Sequence, residues 1–125
     1  MFFVIDQCYD REEIHRELGG ELDHYLPQKD GNIVCGCFRP DDNPRVPDEI
    51  LVGKGVVIQR KAQRFTMQRK YIPVFIRRDA NQWEYMGDYR VHGFLDKPDV
   101  LDRKQREAHR TDVTKVLYLE KRPTE

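Results

Sequence analysis

Residues 72 to 91, IPVFIRRDANQWEYMGDYRV, constrain the fold more than any other stretch. An apolar run over 72–78 ends in two arginines, DANQ turns the chain, and residues 83–91 return. Two such runs joined by a short polar turn read as an antiparallel hairpin. Pro73 has no N–H to give a ladder, so it places the first strand at a sheet edge or marks where the strand begins. With a period of two, Trp83, Tyr85, Tyr89 and Val91 point to one side, and Glu84, Met86, Asp88 and Arg90 to the other. Three rings on one side either fill a core or line a slot for something flat.

The flanking sequence supplies the remaining elements. Asp10 followed by Glu13 is a helix start, and the helix over 11–18 stops at Gly19-Gly20. Residues 21–32 hold Pro27 and Gly31 and read as loop; IVCGCF, 33–38, reads as a short buried strand. RPDDNPRVPDE carries three prolines and excludes regular structure. A strand over 49–52 is closed by Gly53 and Gly55. Residues 56–69 read as a helix whose stripe Ile58, Ala62, Phe65 and Arg69 turns its three apolar members inward. Phe94 and Leu95 extend the second hairpin strand, and residues 113–121 form the last one. Residues 96–110 are charge-rich, with only Val100, Leu101 and Ala108 as an apolar face, and read as a helix or a mobile flap. The expectation is a single α+β domain over 1–125, with a helical or flexible insert at 96–112. It is a barrel-like or half-barrel sheet of five or six strands with two or three flanking helices.

Composition excludes several classes. The chain is 38% hydrophobic and 35% charged, and no apolar run approaches the ~20 residues of a membrane span. MFFVI is too short for a signal peptide. Three cysteines, an odd number, argue against a secreted disulfide scaffold. The expected location is intracellular, cytoplasmic in a bacterium and nuclear in a eukaryote, with no membrane partner. The formal net charge of zero conceals a segregation: twelve acids and five bases precede Lys54, whereas residues 54–78 hold eight bases and no acid. Such a block attracts anions even on a neutral molecule.

Catalytic patterns are sparse. Cys35-Gly36-Cys37 lacks the second ligand pair of a zinc site, and His15, His24, His92 and His109 are scattered. Serine is absent, so Gly-x-Ser-x-Gly is too, and neither a P-loop nor a dinucleotide fingerprint occurs. Asp48 and Glu49 in PDEILVGK are the only residues on which a nuclease or hydrolase could be hung. The expectation is a non-catalytic module with no metal and no cofactor.

Rings and cations remain. A slot for a planar base needs rings for stacking and polar groups for the base edge. Trp83, Tyr85 and Tyr89 supply rings; Asp88 or Asn43 can read an edge. The loop after Gly20, with His24 and Tyr25, and the loop around Asn43 would frame the pocket. Lys54, Arg60, Lys61, Arg64, Arg69, Arg77 and Arg78 are the candidate phosphate ligands.

These residues carry a resemblance. REEIHRELGG is similar to the R-x-x-I-H-x-x-x-G-G opening of SRA-like (YDG-type) domains, which are PUA-like modules. NPRVPDEILVG and IPVFIRRDANQWEYMGDYRV resemble later blocks of divergent members, with W-x-Y-x-G-x-Y on the returning strand. The similarity touches residues 11–91 in pieces, matching Ile14, His15, Gly19 and Gly20, then Trp83, Tyr85, Gly87 and Tyr89. It implies a crescent-shaped barrel that binds DNA and flips a modified base, such as 5-methylcytosine or 5-hydroxymethylcytosine, into a pocket. It also implies a restriction-modification or epigenetic reader, working beside a nuclease or another protein. The rival expectation is a protein-interaction module of the same fold, whose basic helix meets an acidic partner.

Overall fold

The computed structural model describes residues 3–124. Eleven elements follow one another among them: β1 (Cys8–Tyr9), α1 (Arg11–Leu18), β2 (Gln28–Lys29), β3 (Asn32–Ile33), β4 (Gly36–Phe38), β5 (Glu49–Val52), α2 (Val56–Gln68), β6 (Ile72–Asp79), β7 (Gln82–Leu95), α3 (Pro98–Ala108) and β8 (Lys115–Lys121). The fold is α+β, with a mixed sheet in the order β4-β6-β7-β8-β5 and β1 paired to β7. Only β4 and β6 run parallel. The described strands form an open sheet, so the closed form of the expected barrel is absent among them.

The hairpin forms as the sequence predicts, and β7 continues through Phe94 and Leu95. Pro73 does not mark an edge. β6 lies between β4 and β7, and Pro73 sits near its first residue, one position before the ladder to β4 begins at Val74. The reading of 33–38 as one strand is also corrected. Asn32 and Ile33 fold back on β2 as a small hairpin, and β4 begins only at Gly36.

The alternation along β7 breaks. Val74 faces Gly87 and Phe75 faces Tyr85, so Met86 is an extra residue, a bulge that transposes the two faces. Trp83 and Tyr85 therefore pack with Phe75, Ile14, Cys35 and Cys37 under α1. Tyr89 and Val91 pack with Ile72, Val74, Leu117, Leu119 and Phe65 under α2. The expectation that all three rings share one side fails at that residue. A second irregularity at His92 separates the Val91–Leu119 and Gly93–Tyr118 pairs. Bulges bend and twist a strand. With two of them β7 serves β6 with its first half and β8 with its second, and the sheet curls.

Helices cover both faces. α1 is held by a complete capping box: Glu13 N–H donates to Asp10 Oδ1 (2.8 Å) and Asp10 N–H to Glu13 Oε1 (3.0 Å). It ends at Gly19, whose φ of 79° suits glycine. α2 buries Ala62 and Phe65, but Ile58 is exposed rather than inward, and Lys61 is buried in its place. Gln68 anchors the far end of α2 by exchanging two hydrogen bonds with the backbone of Ile33 (3.0 and 2.9 Å). Residues 98–108 are helical, which decides between helix and flap. α3 buries Val100, Lys104 and Ala108 against Leu51, Val113 and Val116. No helix among the described residues is long and apolar enough to cross a membrane.

Candidate functional site

The curl leaves a cleft of about 1070 Å³ whose walls include Cys37 and Phe38 of β4 and Leu51 of β5, the two edge strands of the sheet. Val57, Ile58 and Lys61 come from α2, Arg77 from β6, Trp83 from β7, and Leu22 to Tyr25 from the loop after α1. Arg11, Arg39, Asp42, Asn43, Asn81, Arg110 and Asp112 complete the polar lining.

Each wall has its own support. Asn43 is buried and pins the loop between the edge strands: Leu51 N–H donates to its Oδ1 (2.8 Å), and its Nδ2 donates to the Arg39 carbonyl (3.1 Å). Its amide is therefore largely engaged by backbone. Arg110 forks onto Asp112 (2.9 and 3.1 Å) and reaches the carbonyls of Asp42 (2.9 Å) and Leu51 (3.2 Å). Hydrogen bonding from Arg110 outweighs burial and holds the Asp112 carboxyl below the ordinary range, with Lys54 adding its charge. Tyr25 donates its hydroxyl to the Ile58 carbonyl (2.5 Å), and burial pushes that phenol up. Its ring lies tilted beside Phe38, centroids 6.4 Å apart.

Lys61 is only 4% exposed. Its Nζ lies 2.8 Å from Glu21 Oε1 and 2.6 Å from His24 Nδ1. An ammonium has only donors, so Nδ1 accepts and the His24 proton sits on Nε2. Burial works against the Glu21 carboxylate, but the Lys61 hydrogen bond, the Gln28 amide and the Lys61 charge together bring its pKa down to about 2. Lys61 is thus a bound partner of the loop after α1, not the solvated phosphate ligand its sequence context suggests.

Arg11, the first residue of α1, reaches across the loop. It donates to the carbonyls of His24 (2.9 Å) and Glu21 (3.3 Å), and its guanidinium lies 5.1 Å from the Trp83 ring centroid. Trp83 is 7% exposed, and no acceptor among the described residues reaches its Nε1. Arg77 pairs across the hairpin with Trp83. Among the described residues no carboxylate lies within 4.0 Å of Arg11 or Arg77, and Arg39 has only Asp42, at 4.0 Å.

Of the sequence-predicted pocket, His24, Tyr25, Asn43 and Trp83 converge here, with Lys61 and Arg77 from the phosphate set. Tyr85, Asp88 and Tyr89 do not line the cleft. Tyr85 donates to Asp88 (2.6 Å) beside the α1-side core, and burial, then that hydrogen bond, raise its pKa. Tyr89 lies in the α2-side core, where burial and the Asp48 charge push its phenol up. Arg78 pairs with Glu84 (2.7 Å); Lys54, Arg60, Arg64 and Arg69 are exposed outside the lining. Arg64 lies one turn after Lys61 on the same stripe of α2. Arg11, Arg39 and Arg110 were missed. Arg11 had a partial signal, because the capping box sets it at the first helical position; it meets the loop after Gly19 only because that loop folds back along α1.

A family model described as a domain of unknown function, DUF6697, matches residues 8–118. The chain belongs to that family. No curated protein and no solved structure matches it. The DUF6697 match takes in every residue that lines the cleft, from Arg11 to Asp112. Within the DUF6697 domain Cys35 and Cys37 are free and buried. The Cys37 thiol beside it, then burial, raise the Cys35 pKa, so it behaves as a small apolar residue. No three of His, Cys, Asp and Glu converge on a metal site among the described residues. Glu49 is bound by Lys104 (2.6 Å).

Proposed function

We propose that the domain is a non-catalytic nucleic-acid-binding module that takes a base, in DNA a modified one such as a methylated or hydroxymethylated cytosine, into the cleft. We read the open, curled sheet as a half-barrel of the SRA-like, PUA-like type. One observation carries the proposal: a single cleft is lined both by the half-buried Tyr25 ring, with the buried Phe38 beside it, and by the guanidiniums of Arg11 and Arg77, which have no carboxylate within 4.0 Å among the described residues, with Arg39 next to Asp42. Rings stack a base and guanidiniums fork onto phosphate oxygens. Exposed Lys54, Arg60, Arg64 and Arg69 extend the cationic field along α2.

Fluorescence-polarisation titrations with duplexes carrying cytosine, 5-methylcytosine or 5-hydroxymethylcytosine, each at two salt concentrations, test this. Binding should weaken with salt and favour one modification. Arg39→Ala with Arg77→Ala should weaken binding to every duplex and flatten the salt slope by about 1.8, two contacts' worth. Tyr25→Leu should reduce the preference between duplexes. Absence of any salt-dependent binding removes the reading.

A second reading rests on the start of α2, whose Val57 also lines the cleft. Val56 and Val57 are exposed at the start of an acid-free α2, beside Arg60, which suits an acidic, amphipathic protein partner. That partner would be recovered in a pull-down that nuclease treatment leaves intact.

A further inference from the structure

Trp83 is the sole tryptophan of the chain and lines the cleft, yet its geometry is wrong for stacking a base. The Arg11 guanidinium already lies over its ring, and the rest of the indole packs with Ile14, Cys37 and Phe75. What the ring does offer is one buried N–H without an acceptor among the described residues. Buried donors in native proteins are nearly always paired, so an orphan in a cleft wall marks a place where a ligand atom belongs. Its surroundings say which atom. Arg11 and Arg77 both adjoin Trp83, one over its ring and one across the hairpin, and neither has a close carboxylate. A buried N–H donor on a ring beside two arginines that have no close carboxylate suits an oxyanion better than a neutral carbonyl.

We infer that Trp83 Nε1–H, Arg11 and Arg77 form a seat for one phosphate group. Trp83 serves there as a hydrogen-bond donor, not as a stacking ring. Arg11 turns from the indole face toward the anion as it binds. The identity of the natural ligand, a phosphodiester of nucleic acid, rests on the reading given above, whereas the seat itself rests on these three side chains. Tyr25 is then the ring left for a base, with Phe38 buried beside it.

Because there is one tryptophan, there is one indole N–H resonance, and it reports on the seat without any mutation. Titrating the ¹⁵N-labelled protein with inorganic phosphate, with a thymidine oligonucleotide and with acetate at matched ionic strength should move that resonance downfield for the first two, and little for acetate. Trp83→Phe, which keeps an aromatic ring but lacks the N–H, should bind the oligonucleotide about tenfold more weakly, the worth of one hydrogen bond to a charged acceptor. Arg77→Ala should lose at least as much. An indole resonance unmoved at saturating oligonucleotide, or Trp83→Phe binding as the parent does, overturns the seat while leaving nucleic-acid binding in place. A response to phosphate with no oligonucleotide binding retains the seat and removes the nucleic-acid reading.

Discussion

Asn43 shows how one side chain can hold a site without serving it. It joins the carbonyl of Arg39, the residue after β4, to the amide of Leu51 on β5, so it sets the spacing of the two cleft walls. Asn43→Ala strands the buried Leu51 N–H and should cost about 1–3 kcal/mol, read as a lowered urea midpoint with an unchanged m-value. Sequence reasoning placed Asn43 at the pocket but gave it the wrong task. A residue type announces which bonds it can make, and not which partner 8 positions away will claim them. The Met86 bulge was more legible. Gly87, at φ 115°, is a lone glycine inside an alternating run, and such a glycine is a recognised sign of a bulge. That glycine alone separates Trp83 and Tyr85 from Tyr89.

α3 teaches the corresponding lesson for an element. Its buried positions, Val100, Lys104 and Ala108, fall four apart, so a lysine stands at the centre of its packing face. Pattern alone calls that a poor core face. What rescues it is Glu49 on β5, 2.6 Å from Lys104 Nζ, with Arg45 and Glu107 bridging nearby at 2.9 Å. The partners lie more than fifty residues apart, beyond any local reading. Buried pairs punish the loss of one member more than the loss of both charges. Glu49→Ala should therefore destabilise by about 3 kcal/mol, whereas Glu49→Leu with Lys104→Met should fall within about 1 kcal/mol of the parent in chemical denaturation. Equal losses in the two variants would contradict that account. α1 and the β6–β7 hairpin were legible because each carries a local signal: the box at Asp10 and Glu13, the stop at Gly19, the hairpin turn before Gln82; β1, β2 and β3, two residues each, carry none.

For the molecule as a whole, ion pairs stitch distant segments, and they set its response to acid. Glu21, Glu107 and Asp112 each face a cation that depresses the carboxyl pKa. A depressed folded-state pKa contributes stability that is complete above the unfolded value and is lost as pH falls through the folded one. For Glu21 that window runs from 4.5 down to about 2. The side chain is 38% exposed, so solvent screening reduces its share to about 1 kcal/mol. Stability curves of the parent and Glu21→Gln should therefore lie apart above pH 4.5 and converge near pH 2. Parallel curves over that range would show that Lys61 does not rely on Glu21.

The same architecture decides how the sheet ends. The outward N–H and C=O of Leu51 on β5 are taken by Asn43 and Arg110, and on β4 the Cys37 N–H donates to the Tyr25 carbonyl (2.8 Å). A second molecule arriving at either margin finds those groups already occupied and has no template on which to zip itself. The residues that wall the hollow thereby also close, at these two strands, the route by which curled sheets grow into fibrils.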